Sequence, residues 1–161
     1  MKTEYYPADI RLLHWIVVFL VLFQYLSGPQ IREAFDAGLD AGTQGTGTAF
    51  IHGAIGLSIL VAMILRLRAR RAQALPPPPQ SEPPMIREVS RTVHRAFYVF
   101  LIAMPVAGLL AMLTGWGWIG FLHGLAAKLL WLMVLAHVAG AVLHLIHRDG
   151  VMTRMTGHGA E

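Results

Sequence analysis

Residues 122–146 read LHGLAAKLLWLMVLAHVAGAVLHLI, an almost uninterrupted apolar run with histidines at positions 123 and 137. A helix needs about 20 apolar residues to cross the hydrocarbon core of a membrane, so this run predicts a membrane-spanning helix. At about 1.5 Å and 100° per residue, His123 and His137 lie on nearly one face of that helix, about 21 Å apart along its axis. Imidazoles are costly to bury in a membrane and therefore predict a functional site, most simply axial ligands of a buried cofactor.

The whole chain has the composition of a membrane protein. Of its 161 residues, 55% are hydrophobic and only 14% are charged, whereas a soluble domain carries about 25% charged residues. Apolar blocks predict four spans at about 10–27, 49–67, 94–113 and 122–146. His14, Trp15 and Gln24 interrupt the first block and three spans follow it, which disfavours a cleaved secretory signal. The predicted fold is all-α, an integral membrane four-helix bundle forming a single domain, residues 1–161.

The basic residues predict the orientation of the bundle. Eleven of the thirteen Lys and Arg residues fall on one side of the predicted membrane: Lys2, Arg11, Arg66, Arg68, Arg70, Arg71, Arg87, Arg91, Arg95, Arg148 and Arg154. Because basic loops stay in the cytoplasm, both termini are predicted to be cytoplasmic, together with a stiff proline-rich linker at about 72–84. The connection 28–48 is Gly-rich and acidic and predicts a flexible outer loop. The basic collar would face lipid headgroups, so no nucleic-acid partner is predicted.

The histidines in the spans match by depth in two pairs. His14 and His137 fall toward the cytoplasmic side, and His52 and His123 fall toward the outer side. Each pair could supply both axial nitrogens of a b-type haem, which leaves no open coordination position and suits electron transfer. His144 lies seven residues beyond His137 on nearly the same face and is a rival for the inner position. The apolar residues around His137 favour His137.

Four segments carry a resemblance to a known family: Arg11 to Trp15 (RLLHW), Ile51 to Leu60 (IHGAIGLSIL), His94 to Gly108 (HRAFYVFLIAMPVAG), and the fourth span from His123 through His137 and His144. The chain resembles the bacterial cytochrome b561 family, which is related to the cytochrome b subunits of nickel-iron hydrogenases. The resemblance implies a multi-pass protein of the bacterial inner membrane.

The same resemblance implies a cofactor set and partners. It implies two haems b with His14, His52, His123 and His137 as ligands, and ubiquinone or another quinone as redox partner. It also implies that some members oxidise superoxide at the outer face and reduce ubiquinone. The chain departs from the family pattern in its short connection between the third and fourth spans, where an outer substrate pocket would be shaped.

The remaining polar residues give second-tier candidates. His94, Arg95, His144 and Arg148 could bind a quinone or haem propionates, or form a basic collar that contacts lipid headgroups. Lys128 could attract a small anion, pair with a propionate, or extend its amine to the membrane surface. No catalytic residue is predicted, because the sequence has no Ser-His-Asp set or His-Glu-x-x-His motif and the spans contain no acidic residue.

The sequence therefore predicts a di-haem membrane cytochrome that transfers electrons across the membrane to or from quinone. Its enzymatic form would be a superoxide:ubiquinone oxidoreductase. One alternative is a membrane-anchor cytochrome b subunit that takes electrons from a separate periplasmic donor. An alternative of another class is a non-redox membrane protein whose histidines bind a metal such as zinc or copper.

Overall fold

The computed structural model describes residues 5–41, 47–77 and 83–157. These residues form five helices: α1 Ala8–Ala41, α2 Gly47–Ala72, α3 Pro84–Thr114, α4 Gly117–His147 and the short α5 Val151–Thr156. No strand occurs in this part of the chain. The first four helices each contain a segment long and apolar enough to cross a membrane. The prediction of an all-α, four-helix membrane fold is confirmed.

The first helix is longer than its apolar block. A loop was expected from Gly28 onward, but α1 continues to Ala41. Its last third, QIREAFDAGLDA, is composed mostly of residues with good helix propensity such as Ala, Glu, Arg and Leu. The end of the apolar block therefore marks where the membrane-spanning part ends and not where the helix ends. Residues 42–46 of the expected loop lie outside the described part of the chain.

Consecutive helices pack against one another, α1 on α2, α2 on α3 and α3 on α4. Where they meet, one apolar cluster forms the core: Val17, Ile59, Ala62, Met63, Leu101 and Leu130. Within this cluster, Met63 is fully buried, with 0% of its surface exposed. Most other large apolar side chains are exposed on the outside of the bundle. Lipid tails are as apolar as these side chains, so an outer surface of this kind costs nothing in a membrane.

An aromatic pair joins helices α1 and α4. The rings of Tyr25 and Trp131 are stacked, with centroids 3.9 Å apart and planes 10° from parallel. On α4, Trp131 falls between the levels of His123 and His137. The stack therefore holds α1 and α4 together between the two histidine levels.

Replacing Trp131 with alanine is expected to lower the free energy of unfolding by about 1 kcal/mol, because a stacked aromatic pair contributes about 0.5–1.5 kcal/mol beyond its buried area. Detergent unfolding titrations measure this difference. Trp131→Phe should retain most of the stability because it keeps a ring against Tyr25. Trp118, which is 61% exposed, provides the control, and an equal loss in Trp118→Ala would contradict a specific role for the stack.

A tight turn joins α3 to α4. Only Gly115 and Trp116 separate the two helices, and the N–H of Gly115 donates to the Ala111 carbonyl, 2.9 Å away. Gly115 has a φ of 67°, which glycine adopts without the steric cost that a Cβ would bring. The exposed indoles of Trp116 and Trp118 stack beside this turn with centroids 6.2 Å apart. Tryptophans are enriched at membrane interfaces, and these two lie at the end of two spans, where they would act as anchors.

Both ends of the described chain meet at one end of the bundle, here called the terminal end. The N–H of Tyr6 donates to the Arg154 carbonyl at 3.1 Å, and the Arg154 guanidinium donates to the Pro77 carbonyl at 2.7 Å. Gln73, just past α2, donates to the Asp9 carboxylate at 2.6 Å. These bonds tie the start of α1, the end of α2 and the segment after α4 together. The other end of the bundle is here called the turn end.

Candidate functional site

At the terminal end, α1 and α4 bring two histidine rings together. The centroids of the His14 and His137 rings are 6.3 Å apart, and the ring planes are inclined by 71°. His137 also meets the rings of His94 and Phe97 edge-on, each with centroids 5.4 Å away. The terminal end thus holds three imidazoles, two of which were expected to face each other from the sequence.

At the turn end, α2 and α4 form a second pair. The centroids of the His52 and His123 rings are 6.0 Å apart, and the ring planes are inclined by 75°. Helix α4 therefore contributes one imidazole to each pair, while the partners come from two different helices. This is the pairing by depth that the sequence predicted.

The separation within each pair fits two imidazoles bound to one metal ion from opposite sides. Metal–imidazole bonds are about 2 Å long and a ring nitrogen lies about 1 Å from the ring centre, so the two centroids would be about 6 Å apart. The observed separations are 6.3 and 6.0 Å. Both pairs also join helices that are not consecutive in the chain, and the close backbone packing is between consecutive helices.

The ring of His123 is held in one orientation by α3. Its Nδ1 lies 3.1 Å from the Met104 carbonyl, so an Nδ1–H donates to that oxygen. The ring also lies against Gly108, where a Cβ would be only 3.2 Å from its Cε1 atom. Metal-binding histidines commonly donate their second ring N–H to a carbonyl in this way, which leaves Nε2 free to bind the metal.

The surroundings of His52 differ from those of His123. The Gln24 amide donates to the backbone carbonyl of His52 at 3.0 Å and links α1 to α2. The Nδ1 atom of His52 and the Oε1 atom of Gln24 are both buried with no hydrogen-bond partner in the described structure. Gln24 interrupts an apolar block, and that interruption is the signal from which the sequence could have revealed its contact with α2.

The rival inner histidine, His144, is directed elsewhere. Its Nδ1 is 2.5 Å from a carboxylate oxygen of Asp149, beyond the end of α4. Burial alone would raise the pKa of Asp149, but hydrogen bonds from the His144 ring and from the Val151 N–H outweigh it and lower the pKa. The structure thus places His137, and not His144, against His14.

Of the other residues predicted to bind a quinone or haem propionates, one lies next to a histidine pair and three lie at the surface. His94 contacts His137, and its Nδ1–H donates to the Ser90 carbonyl at 2.6 Å. Arg95, Lys128 and Arg148 are exposed. Among the described residues, no group of three or more His, Cys, Asp or Glu side chains is arranged to hold a metal ion. Within the described residues, the two histidine pairs are therefore the candidate ligands of a metal-containing group.

Arg66 lies at the terminal-end site, which was not predicted from the sequence. The sequence placed Arg66 in the basic collar, but its guanidinium carbon lies 5.9 Å above the ring centre of Tyr98, four residues beyond His94 on α3. The available signal was spacing, because Arg66 follows His52 by the same fourteen residues that separate His123 and His137.

Comparison with known proteins identifies the family. The family model for prokaryotic cytochrome b561 matches residues 5–158. The chain belongs to the prokaryotic cytochrome b561 family. It is 29% identical over 154 residues to a cytochrome b562 from Cereibacter sphaeroides, a match that covers 92% of this chain and 95% of the relative. It is 25% identical over 165 residues to a probable superoxide oxidase, CybB, from Yersinia pestis, covering 89% of this chain and 90% of the relative.

Membership of the cytochrome b561 family confirms the resemblance seen in the sequence. Together with the four apolar helices, it makes the chain a multi-pass electron-transport protein of the bacterial inner membrane. The family implies haem b as the cofactor. The paired imidazoles of this cytochrome fit that group in donor type and in separation.

Proposed function

We propose that the chain binds two haems b and transfers electrons between them and a quinone. His14 and His137 would hold one haem, and His52 and His123 the other. The observation that carries the proposal is the pair of cross-helix histidine contacts, with ring centroids 6.3 and 6.0 Å apart. Bound haem b would supply an iron that accepts and releases one electron. Two histidines for each haem would leave no coordination position for a substrate, which would favour electron transfer over chemistry at the metal.

The protein contributes position and orientation. His123 and His137 lie about 21 Å apart along α4, a large part of the roughly 30 Å thickness of the hydrocarbon core. The bond from Nδ1 of His123 to the Met104 carbonyl, 3.1 Å, fixes the orientation of the ring and leaves Nε2 free to bind a metal. The aligned levels support transfer across the membrane, and the basic residues support a cytoplasmic location for the terminal end.

His94 is the candidate contact for a quinone. Its ring touches His137, and its Nδ1–H is already used by the Ser90 carbonyl. Its Nε2 would then carry a lone pair that can accept a hydrogen bond from a quinol hydroxyl group. A quinol that gives up two electrons also releases two protons, so a hydrogen-bond acceptor next to the terminal-end pair suits this substrate. Arg95 and Arg148 would attract lipid phosphates at the same surface.

A reduced-minus-oxidised absorption spectrum of the detergent-purified protein, with haem quantified per chain, tests the proposal. We expect two haems b per chain and their reduction on addition of ubiquinol. Haems that ubiquinol does not reduce, and that ubiquinone does not oxidise once they are reduced, would remove the quinone from the proposal. A colourless protein would reject the proposal as a whole and support the non-redox metal-binding alternative, to be followed by zinc and copper analysis.

Superoxide oxidation is a second candidate because a relative of 25% identity is named a probable superoxide oxidase. In this reaction each superoxide would lose one electron to an oxidised haem and leave as O₂. Superoxide added to the oxidised protein should then reduce the haem, and superoxide dismutase should abolish the effect. If superoxide leaves the haem oxidised, a separate periplasmic electron donor and an anchor role for this chain are favoured.

A further inference from the structure

Helix α2 carries its own pair of residues at the spacing of the α4 histidines. Arg66 follows His52 by fourteen residues, as His137 follows His123. Fourteen residues amount to nearly four full turns, so Arg66 lies on the same side of α2 as His52 and about 21 Å farther along the helix. Since His52 faces His123 at the turn end, Arg66 is directed to the level of His137 at the terminal end.

The neighbours of Arg66 confirm this position. The guanidinium carbon lies 5.9 Å above the ring centre of Tyr98 on α3. Tyr98 lies four residues beyond His94 on the same side of α3, and the His94 ring contacts His137. Arg66 thus faces the terminal-end pair and is partly buried there. It does not share the exposure of Arg68, two residues farther along the helix.

The guanidinium of Arg66 has no anionic partner in the described residues. Its Nε atom is buried and makes no hydrogen bond. Each described carboxylate at the terminal end is already bonded to a neighbour: Asp9 to Gln73, Glu88 to Arg91 and Asp149 to His144. An unpaired arginine within a membrane-spanning helix is costly. We therefore expect the Arg66 guanidinium to bind an anion that is not one of the described residues.

We propose that Arg66 binds a propionate carboxylate of the haem held by His14 and His137. This inference rests on the proposed function. A guanidinium matches a carboxylate with two parallel hydrogen bonds, which a lysine amine cannot do. Its charge also stabilises the ferrous state, which carries one positive charge less than the ferric state. Arg66 thus raises the reduction potential of the terminal-end haem and leaves the turn-end haem unaffected.

Redox titration of Arg66→Gln, Arg66→Lys and the control Arg68→Gln tests the inference. In Arg66→Gln we expect one of the two haem components to titrate at lower potential, by about a tenfold change in its oxidised-to-reduced ratio, or about 59 mV for one electron. Arg66→Lys keeps the charge and should shift that component less. Arg68→Gln should match the wild type. The shifted component should be the one that His137→Ala removes.

The outcomes separate this inference from the proposed function. A wild-type protein without two haem components rejects the proposed function, and the inference with it. If the wild type has two components and neither moves in Arg66→Gln, the inference alone is wrong. If Arg66→Gln does not accumulate in cells, the redox titration of Arg66→Lys tests the inference in its place. An unchanged potential of both haem components in Arg66→Lys would overturn a contact of two hydrogen bonds between Arg66 and the propionate.

Discussion

Replacing His137 with alanine is expected to reduce the haem content from two per chain to about one. The side chain faces His14 with ring centroids 6.3 Å apart, and alanine has no nitrogen to replace it as a ligand. The turn-end pair, His52 and His123, is about 21 Å away along α4 and should keep its haem. Haem quantification against protein concentration measures the loss, and the reduced-minus-oxidised spectrum identifies which component remains.

The matched control is His144→Ala on the same helix. His144 bonds to Asp149 beyond the end of α4, so its removal should leave both haems in place. His14→Ala should reproduce the loss seen in His137→Ala. If His144→Ala loses a haem while His137→Ala keeps two, the assignment of the terminal-end ligands is wrong.

Gly108→Val is expected to remove the turn-end haem without touching either of its ligands. A Cβ at this position would lie 3.2 Å from Cε1 and 3.4 Å from Nδ1 of His123, and valine adds two methyl groups beyond that Cβ. The ring would have to rotate or shift, which would break its bond to the Met104 carbonyl and its alignment with His52. A displacement of about 1 Å is enough to disable a site that depends on geometry.

Gly124→Val is the control for this change. Gly124 is next to His123, but a Cβ there would meet no atom within 4 Å. The same substitution should therefore leave two haems per chain. Gly108→Ala should give an intermediate occupancy, because its single methyl group requires a shift of only a few tenths of an ångström. Full haem content in Gly108→Val would show that His123 does not depend on the space at Gly108.

The sequence was sufficient to predict the level of each histidine in the membrane, because that level depends on distance along a helix. The levels of His52 and His123 follow from the number of residues to the helix ends, so their pairing could be predicted before any contact was known. Rotation of each helix about its axis could not be predicted in this way. For that reason the contact of His94 with His137 was missed, and His144 stayed open as a rival until its bond to Asp149 was seen.

When several neighbouring residues carry the same charge, the sequence does not show which of them faces the site and which faces the membrane surface. Arg66 begins a stretch with Arg68, Arg70 and Arg71, and composition alone assigns all four to the membrane surface. Only the orientation of α2 directs Arg66 to the imidazoles and leaves Arg68 exposed. The extension of α1 to Ala41 was also not predicted. An apolar block indicates which part of a helix crosses the membrane, but it does not show where the helix ends.

Each histidine pair takes one member from α4, the last of the four spanning helices to leave the ribosome. A nascent chain that has inserted α1 to α3 presents His14 and His52 without their partners. Neither pair is complete until the fourth helix has entered the membrane and packed against the others. If the proposed function holds, cofactor loading is a late step in biogenesis, and a chain truncated before α4 could not hold a haem between the two histidines of either pair.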